Sequence, residues 1–266
     1  MYQFNYVKAK SLKEAGELLA AHPDAKLLAG GMTLLPTLKA RLAQPTHLID
    51  IGSLAGIKKI TLKTKKLVIG AAVSHHAVAV SDEVKKAIPA LARLAGLIGD
   101  PQVRNRGTLG GSVANNDPAA DYPAAVLALN AKVVTARRRI KADDYFQGMF
   151  ATALEPGEIV KSIEFPLPLR AAYAKFAHPA SGYAMAGVFV AQVGKHVRVA
   201  VTGAGAGVFR WSAAEKALRK NMSPAALDKL TVDATDLNED MHASREYRAN
   251  LVKVMAQRAV AQLAGQ

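Results

Sequence analysis

Two paired glycines, Gly30-Gly31 and Gly110-Gly111, constrain this chain more than any other feature of its 266 residues. The first pair lies in Leu27-Leu28-Ala29-Gly30-Gly31-Met32-Thr33-Leu34-Leu35-Pro36, between a short apolar run and a helix start. Glycine lacks a Cβ, so backbone amides at such a junction can turn toward a ligand, and a helix N-terminus adds partial positive charge. The junction therefore suits a diphosphate. A plain tight turn is the alternative explanation of the same two residues.

The second pair sits in a richer segment, Gly107-Thr108-Leu109-Gly110-Gly111-Ser112-Val113-Ala114-Asn115-Asn116-Asp117-Pro118-Ala119-Ala120-Asp121. Hydroxyls, amides and two carboxylates occur together here, enough to satisfy the polar atoms of a dinucleotide's diphosphate and polyol chain. Asp117 and Asp121 have a competing role as caps of the following helix, Asp117 standing just before Pro118. No Gly-Lys-Ser or Gly-Lys-Thr follows either loop, which argues against nucleotide triphosphate hydrolysis. Gly203, Gly205 and Gly207 are spaced Gly-x-Gly-x-Gly, with no acidic strand end about twenty residues on, and read as a turn leaving a strand.

Around these loops the pattern alternates strands and helices. Tyr2 to Val7 alternates like a strand, and Ser11 with Glu14 forms a capping-box signature for a helix carrying Leu12, Ala15, Leu18 and Leu19. Lys26 to Ala29 reads as a strand, Thr33 to Leu42 as a helix starting near Pro36, and His47 to Ile51 and Leu67 to Ala72 as further strands. Ser81 to Ile98 reads as one or two helices broken at Pro89, and Gly99 to Pro123 as a long shaped loop. A helix at Ala124 to Leu129 and strands at Lys132 to Ala136 and Glu158 to Phe165 precede the junction Pro166-Leu167-Pro168, where a domain boundary is expected. Beyond it, Ala184 to Val193 and His196 to Thr202 read as strands joined at Gly194-Lys195, with helices at Ser212 to Arg219, Ser223 to Leu230 and Arg245 to Leu263.

Composition removes whole classes of function. Half the residues are hydrophobic, so a disordered reading fails, and the absence of cysteine excludes disulfides, a catalytic thiol and any iron-sulfur cluster held by this chain alone. Any metal redox centre must sit on another subunit. No apolar stretch of about 18 residues appears, and Met1 to Lys10 lacks the apolar segment of a secretion signal, so a cytoplasmic protein that is not integral to a membrane is expected. The formal charge of +14 raises nucleic-acid binding. Its densest runs, Lys63-Lys65-Lys66 and Arg137-Arg138-Arg139-Lys141, are short and lack a stacking platform, so solvated strand ends or a subunit-facing surface is expected instead.

Taken in order, the loops resemble those of the FAD-binding subunits of the xanthine dehydrogenase and carbon monoxide dehydrogenase family, the molybdenum hydroxylases. The resemblance runs through Ala29-Gly30-Gly31 with Leu34-Leu35-Pro36, Ile98-Gly99, Gln102-Val103-Arg104-Asn105, Gly107 to Gly111 and Asp117 to Asp121. It continues through Phe146-Gln147-Gly148, Leu154 to Val160, Ile163 to Pro166 and Lys175-Phe176. It implies an α+β chain: a two-subdomain FAD-binding fold of the PCMH type over residues 1–168, divided near residue 56, then a small antiparallel sheet with helices over 169–266. It also implies a heteromeric oxidoreductase that binds FAD noncovalently, with molybdopterin on a large subunit and 2Fe-2S clusters on a small one, and it allows a dimer of heterotrimers.

By position, the resemblance assigns FAD contacts to Leu28, Ala29, Gly30, Gly31, Met32, Thr33 and Leu34, and to Thr108, Leu109, Gly110, Gly111 and Ser112. Asn115, Asp117, Asp121, Ile98 and Ile159 join them. Asp121 would accept hydrogen bonds from ribityl or ribose hydroxyls, and Met32 would contribute only its backbone. Ser112 stands where many relatives carry Asn and has a shorter reach. Lys175 would reach the flavin's pyrimidine edge and Tyr183 would lie near the ring; a surface lysine and a packed aromatic are the alternatives. No catalytic acid or base is then obligatory. His75-His76, read as strand neighbours, point to opposite faces and suggest no metal site. A free-standing flavin oxidoreductase and a flavin-free interaction subunit remain alternatives.

Overall fold

The computed structural model describes residues 1–263. Its first unit is a three-stranded parallel sheet of β1 (Asn5–Lys8), β2 (Lys26–Leu28) and β3 (His47–Asp50) in the order β1-β3-β2, with helices α1 (Leu12–Ala21) and α2 (Leu34–Lys39) in the crossovers. The α1 cap forms as its sequence dictates: Ser11 Oγ accepts from the Glu14 amide at 3.1 Å, and the Glu14 carboxylate accepts from the Lys10 amide at 2.6 Å. The first strand begins at Asn5 rather than Tyr2, and α2 begins at Leu34, two residues before Pro36.

The second unit is built on a five-stranded antiparallel sheet with helices on one face. Its elements are β4 (Ile60–Lys63), β5 (Lys66–Gly70), α3 (His75–Val80), α4 (Asp82–Ala87), α5 (Pro89–Gly96), α6 (Pro101–Arg106), α7 (Leu109–Asn115), α8 (Tyr122–Ala128), β6 (Lys132–Thr135), β7 (Arg139–Lys141), α9 (Ala142–Tyr145), a small hairpin of β8 (Phe146–Gly148) and β9 (Ala151–Thr152), and β10 (Val160–Pro166). The sheet order is β4-β5-β10-β6-β7. Pro89 opens α5 at its first position, where its missing N–H costs nothing, so the helical run breaks there as expected. The expected long loop from Gly99 to Pro123 is instead two short helices, each started by a side-chain cap: Asp100 Oδ1 accepts from the Val103 amide at 2.7 Å and Thr108 Oγ1 from the Gly111 amide at 3.2 Å. His75 and His76 open α3 rather than lying on a strand, with His75 buried and His76 exposed.

The third unit is an antiparallel sheet of β11 (Arg170–Ala177), β12 (Ala184–Val193), β13 (His196–Thr202) and β14 (Phe209–Arg210) in that spatial order, followed by α10 (Ser212–Lys220) and α11 (Arg245–Leu263). The expected helix over Ser223 to Leu230 is only a 3-10 turn at Pro224–Leu227. Strand β12 is a nearly unbroken apolar run because both its faces are buried. Tyr173, Phe189 and Ala200 join the core of the second unit, while Val188, Val190 and Val199 pack with α10 and α11.

The two cationic runs flank hairpin turns. Lys63, Lys65 and Lys66 surround the β4–β5 turn, and Arg137 to Arg139 the β6–β7 turn. There, Arg138 binds the buried Glu158 carboxylate through Nε at 3.0 Å and Nη2 at 2.9 Å. Among the described residues, no helix is long and apolar enough to cross a membrane.

Candidate functional site: a cavity where the three units meet

A cavity of about 500 Å³ opens between the first two units and the turn that joins β11 to β12. Its volume falls within the range of small-molecule and cofactor sites, about 300–1,000 Å³. Of the residues expected at a cofactor, Leu28 to Leu34, Ile98, Thr108, Gly110, Gly111, Ser112, Asn115, Asp117, Asp121, Ile159 and Tyr183 all line it. Leu109 does not, because its side chain is buried in the core of the second unit, and Lys175 does not.

The first glycine pair forms one wall. Gly31 adopts φ 74°, a left-handed conformation open to glycine, and this reverses the chain between β2 and α2. Gly30 has a different reason to be glycine: a Cβ there would stand 2.2 Å from the Arg106 carbonyl oxygen and 2.8 Å from Gly107 Cα. The two loops therefore pack backbone to backbone. The amides of Gly30, Gly31, Met32, Thr33 and Leu34 donate to no acceptor among the described residues, and bonding resumes with Leu35 to the Gly31 carbonyl at 2.9 Å. Five consecutive donors without a protein partner leave this wall of the cavity free to bond an acceptor placed in it, the last of them as the open amides that begin α2.

The second pair behaves otherwise. The Gly110 amide donates to the Ala71 carbonyl at 2.9 Å, the Gly111 amide to Thr108 Oγ1, and a Cβ on Gly110 would stand 2.4 Å from that of Ala71. These amides are spent inside the protein, although both glycines line the cavity. What α7 offers the cavity is its side chains: the Ser112 hydroxyl and the Asn115 carboxamide, neither with a partner among the described residues. Asn116, left-handed at φ 45° and buried, closes α7 and donates to the Gly148 and Ala151 carbonyls at 2.8 and 2.7 Å.

Neither aspartate uses its side chain to cap α8. Asp117 Oδ1 accepts from the Ala119 amide at 2.9 Å, forming a local turn. Asp121 holds the cap position but makes no side-chain cap bond. Its carboxylate, 3 % exposed, instead accepts from the Tyr173 hydroxyl at 2.6 Å and from Lys175 Nζ at 3.0 Å to each oxygen. Burial pushes its carboxyl above the usual range, and Lys175 and Tyr173 pull it back. Lys175 is thus neither a surface lysine nor a wall of the cavity.

Three consecutive carbonyls, two of them on residues lining the cavity, are tied to cations. Lys175 Nζ binds Leu97 O at 2.9 Å, and Arg104 Nη1 binds Ile98 O and Gly99 O, each at 3.0 Å. The turn beside Gly99 carries Tyr183, 48 % exposed, its phenol pushed up by burial and by the charges of Asp117 and Asp121.

Among the lining residues not expected at a cofactor is His75, considered above only as one of a histidine pair. His75 is 5 % exposed, its Nδ1 has no partner, and its ring centroid lies 5.3 Å from that of Tyr122. Burial, then the charge of Arg104, lowers its pKa to about 4, so the imidazole is neutral at physiological pH. Its signal was Ser74, which caps α3 by accepting from the Ala77 amide at 3.1 Å.

Comparison with known proteins adds the following. Residues 2–168 match the FAD binding domain in molybdopterin dehydrogenase, and residues 171–263 the CO dehydrogenase flavoprotein C-terminal domain. The chain is 35% identical to the nicotine 6-hydroxylase medium subunit of Paenarthrobacter nicotinovorans, covering 96% of this chain and 95% of that one. It is also 35% identical to the carbon monoxide dehydrogenase medium chain of Hydrogenophaga pseudoflava, covering 97% and 96%. A solved structure of carbon monoxide dehydrogenase from Hydrogenophaga pseudoflava superposes with a TM-score of 0.90 at 36% identity, covering 99% of this chain and 98% of that one. Quinoline 2-oxidoreductase from Pseudomonas putida 86 gives 0.89 at 29% identity, with coverage of 99% and 98%.

Proposed function

Because the chain belongs to the FAD-binding medium subunits of the molybdenum hydroxylases, we propose that it holds FAD in this cavity and relays electrons from a partner's 2Fe-2S clusters to an external acceptor. The observation that carries the reading is the row of five unpaired amides from Gly30 to Leu34. Amide donors pointed at an anion suit a diphosphate without any charged side chain. The Ser112 hydroxyl and Asn115 carboxamide would serve the adjoining sugar and phosphate oxygens, and Asp121 the ribityl or ribose hydroxyls. Leu28, Ile159 and Ile98 would supply apolar wall, with Tyr183 beside the flavin end.

When bound, FAD supplies the redox chemistry; the chain binds it, orients it and limits its exposure to water. With no cysteine here, an iron-sulfur donor must belong to another subunit. The reading therefore includes a small iron-sulfur subunit and a large molybdopterin subunit in a cytoplasmic complex, and it allows two such heterotrimers to pair. The medium-chain relatives named above support such an assembly.

Acid precipitation of the purified full chain tests the cofactor part. All the flavin should appear in the supernatant, as FAD; flavin in the pellet, or FMN, contradicts it. The electron route is tested in the complex purified with its partners. Substrate should bleach the flavin absorbance there, and should leave it unchanged in the isolated chain. Bleaching in the isolated chain would instead mark a free-standing oxidoreductase.

A further inference from the structure

Asp121 reaches the cavity from the second unit, but the groups that hold it come from the third. Tyr173 and Lys175 both project from β11, and their side chains are buried with the carboxylate they bind. The segment leading to Asp121 is fastened to the same sheet: Thr202 Oγ1 donates to the Pro118 carbonyl at 3.1 Å and the Ala120 carbonyl at 2.6 Å, and the Gly203 amide to the Pro118 carbonyl at 2.8 Å.

We infer that Tyr173 is a positioning residue for bound FAD: its hydroxyl, with the Lys175 ammonium, fixes the Asp121 carboxylate so that its remaining lone pairs face the cavity. The inference rests on FAD occupying the cavity as proposed above. A carboxylate has about four acceptor sites. Tyr173 and Lys175 occupy those on the side of β11, leaving acceptor capacity for ligand hydroxyls. A hydrogen bond donated to an ionised acceptor is about twice as strong as a neutral one, so the phenol does more than fill space.

The same contact favours the ionised form of Asp121, opposing the burial that on balance holds its carboxyl above the ordinary range. Burial favours the protonated acid, while Lys175 and Tyr173 favour the charged form. The other ionisable groups around it come from α8 and the loops. They are Tyr122, whose buried phenol has no partner, and Tyr183 and Asp117 at the cavity wall. Removing the Tyr173 hydroxyl therefore makes Asp121 easier to protonate, and protonation takes an acceptor from FAD.

The test is FAD titration of the full apo-chain by flavin fluorescence, from about pH 5 to about pH 9, since the raised carboxyl titrates above its ordinary range. The wild type, Tyr173→Phe, Asp121→Asn and the double variant are compared. Wild-type affinity should weaken as pH falls and Asp121 takes up a proton. Tyr173→Phe should bind about tenfold more weakly at neutral pH, with its acid weakening beginning at higher pH. Asp121→Asn should lose the acid weakening, and adding Tyr173→Phe to it should change affinity by less than about twofold. An unchanged profile in Tyr173→Phe overturns the inference. So does a loss that is equal at every pH and persists on the Asp121→Asn background, because packing alone explains it. Should Tyr173→Phe fail to fold, Asp121→Asn decides: an acid weakening that survives there overturns the inference. A wild-type chain that binds no FAD overturns the cofactor reading itself.

Discussion

At the scale of the residue, the cavity joins side chains that the sequence announces to others that it hides. Asp121 stood out because a carboxylate in a glycine-rich, polar segment has few structural uses. Its partners Tyr173 and Lys175 lie more than fifty positions away, and only the pairing of β11 with β12 brings them close. His75 was hidden in another way, since its burial depends on α5 and α6 folding over α3. Its lowered pKa makes stability depend on pH in a calculable direction. Unfolded histidine titrates near 6.5 and folded His75 near 4, so below about pH 6.5 the unfolded state takes up a proton that the folded state refuses. Stability is then lost between those values, by up to about 3 kcal/mol. Glu158, lowered to about 2 chiefly by its bond from Arg138, loses its contribution only below about pH 4.5, so the two are separable. Urea midpoints at about pH 7 and pH 4.5 should fall steeply in the wild type and less in His75→Gln; equal falls in both would remove His75 as the cause.

At the scale of the element, strands and helices with strong periodicity were legible, and α11, β12 and β13 were read with their bounds. The segment from Gly99 to Pro123 was not, because Gly, Asn, Asp and Pro in a run signal turns, whereas capping by Asp100 and Thr108 suffices for one or two helical turns each. Ser223 to Leu230 failed in the opposite sense: its apolar positions pack under α11, yet only a 3-10 turn forms. The contact between the β2–α2 turn and the α6–α7 turn is where the two glycine loops differ. A methyl on Gly30 must displace backbone, one on Gly111 meets only Thr108 Oγ1 at 2.8 Å, and one on Gly205 meets nothing nearer than 3.5 Å. Gly30→Ala should therefore cost about 1–3 kcal/mol of stability and weaken FAD binding most. Gly111→Ala should have an intermediate effect on FAD binding and Gly205→Ala almost none. Urea unfolding and FAD titration of the three variants check that order, and equal losses at Gly30 and Gly205 would contradict the packing described.

At the scale of the whole molecule, three sheets contribute to one cavity, and the third sheet ties the arrangement together. Its inner face completes the core of the second unit, its Thr202 and Gly203 fasten the Pro118 to Asp121 segment, and its first turn lines the cavity. A boundary was expected at the Pro166 to Pro168 junction and the further division near residue 56 only from the family resemblance, but a sheet that serves two cores at once cannot be read from local pattern. The central claim is that FAD is held by the amides from Gly30 to Leu34 rather than by those of the second glycine pair. Hydrogen exchange followed by mass spectrometry of the full chain, with and without FAD, addresses those amides directly. Unpaired amides exchange fast, and an acceptor in the cavity slows them. The expected result is strong protection of peptides covering residues 30–34 on FAD binding, with little change at the already bonded amides of Gly110 and Gly111. Tight FAD binding that leaves residues 30–34 exchanging as in the apo-chain would contradict the claim.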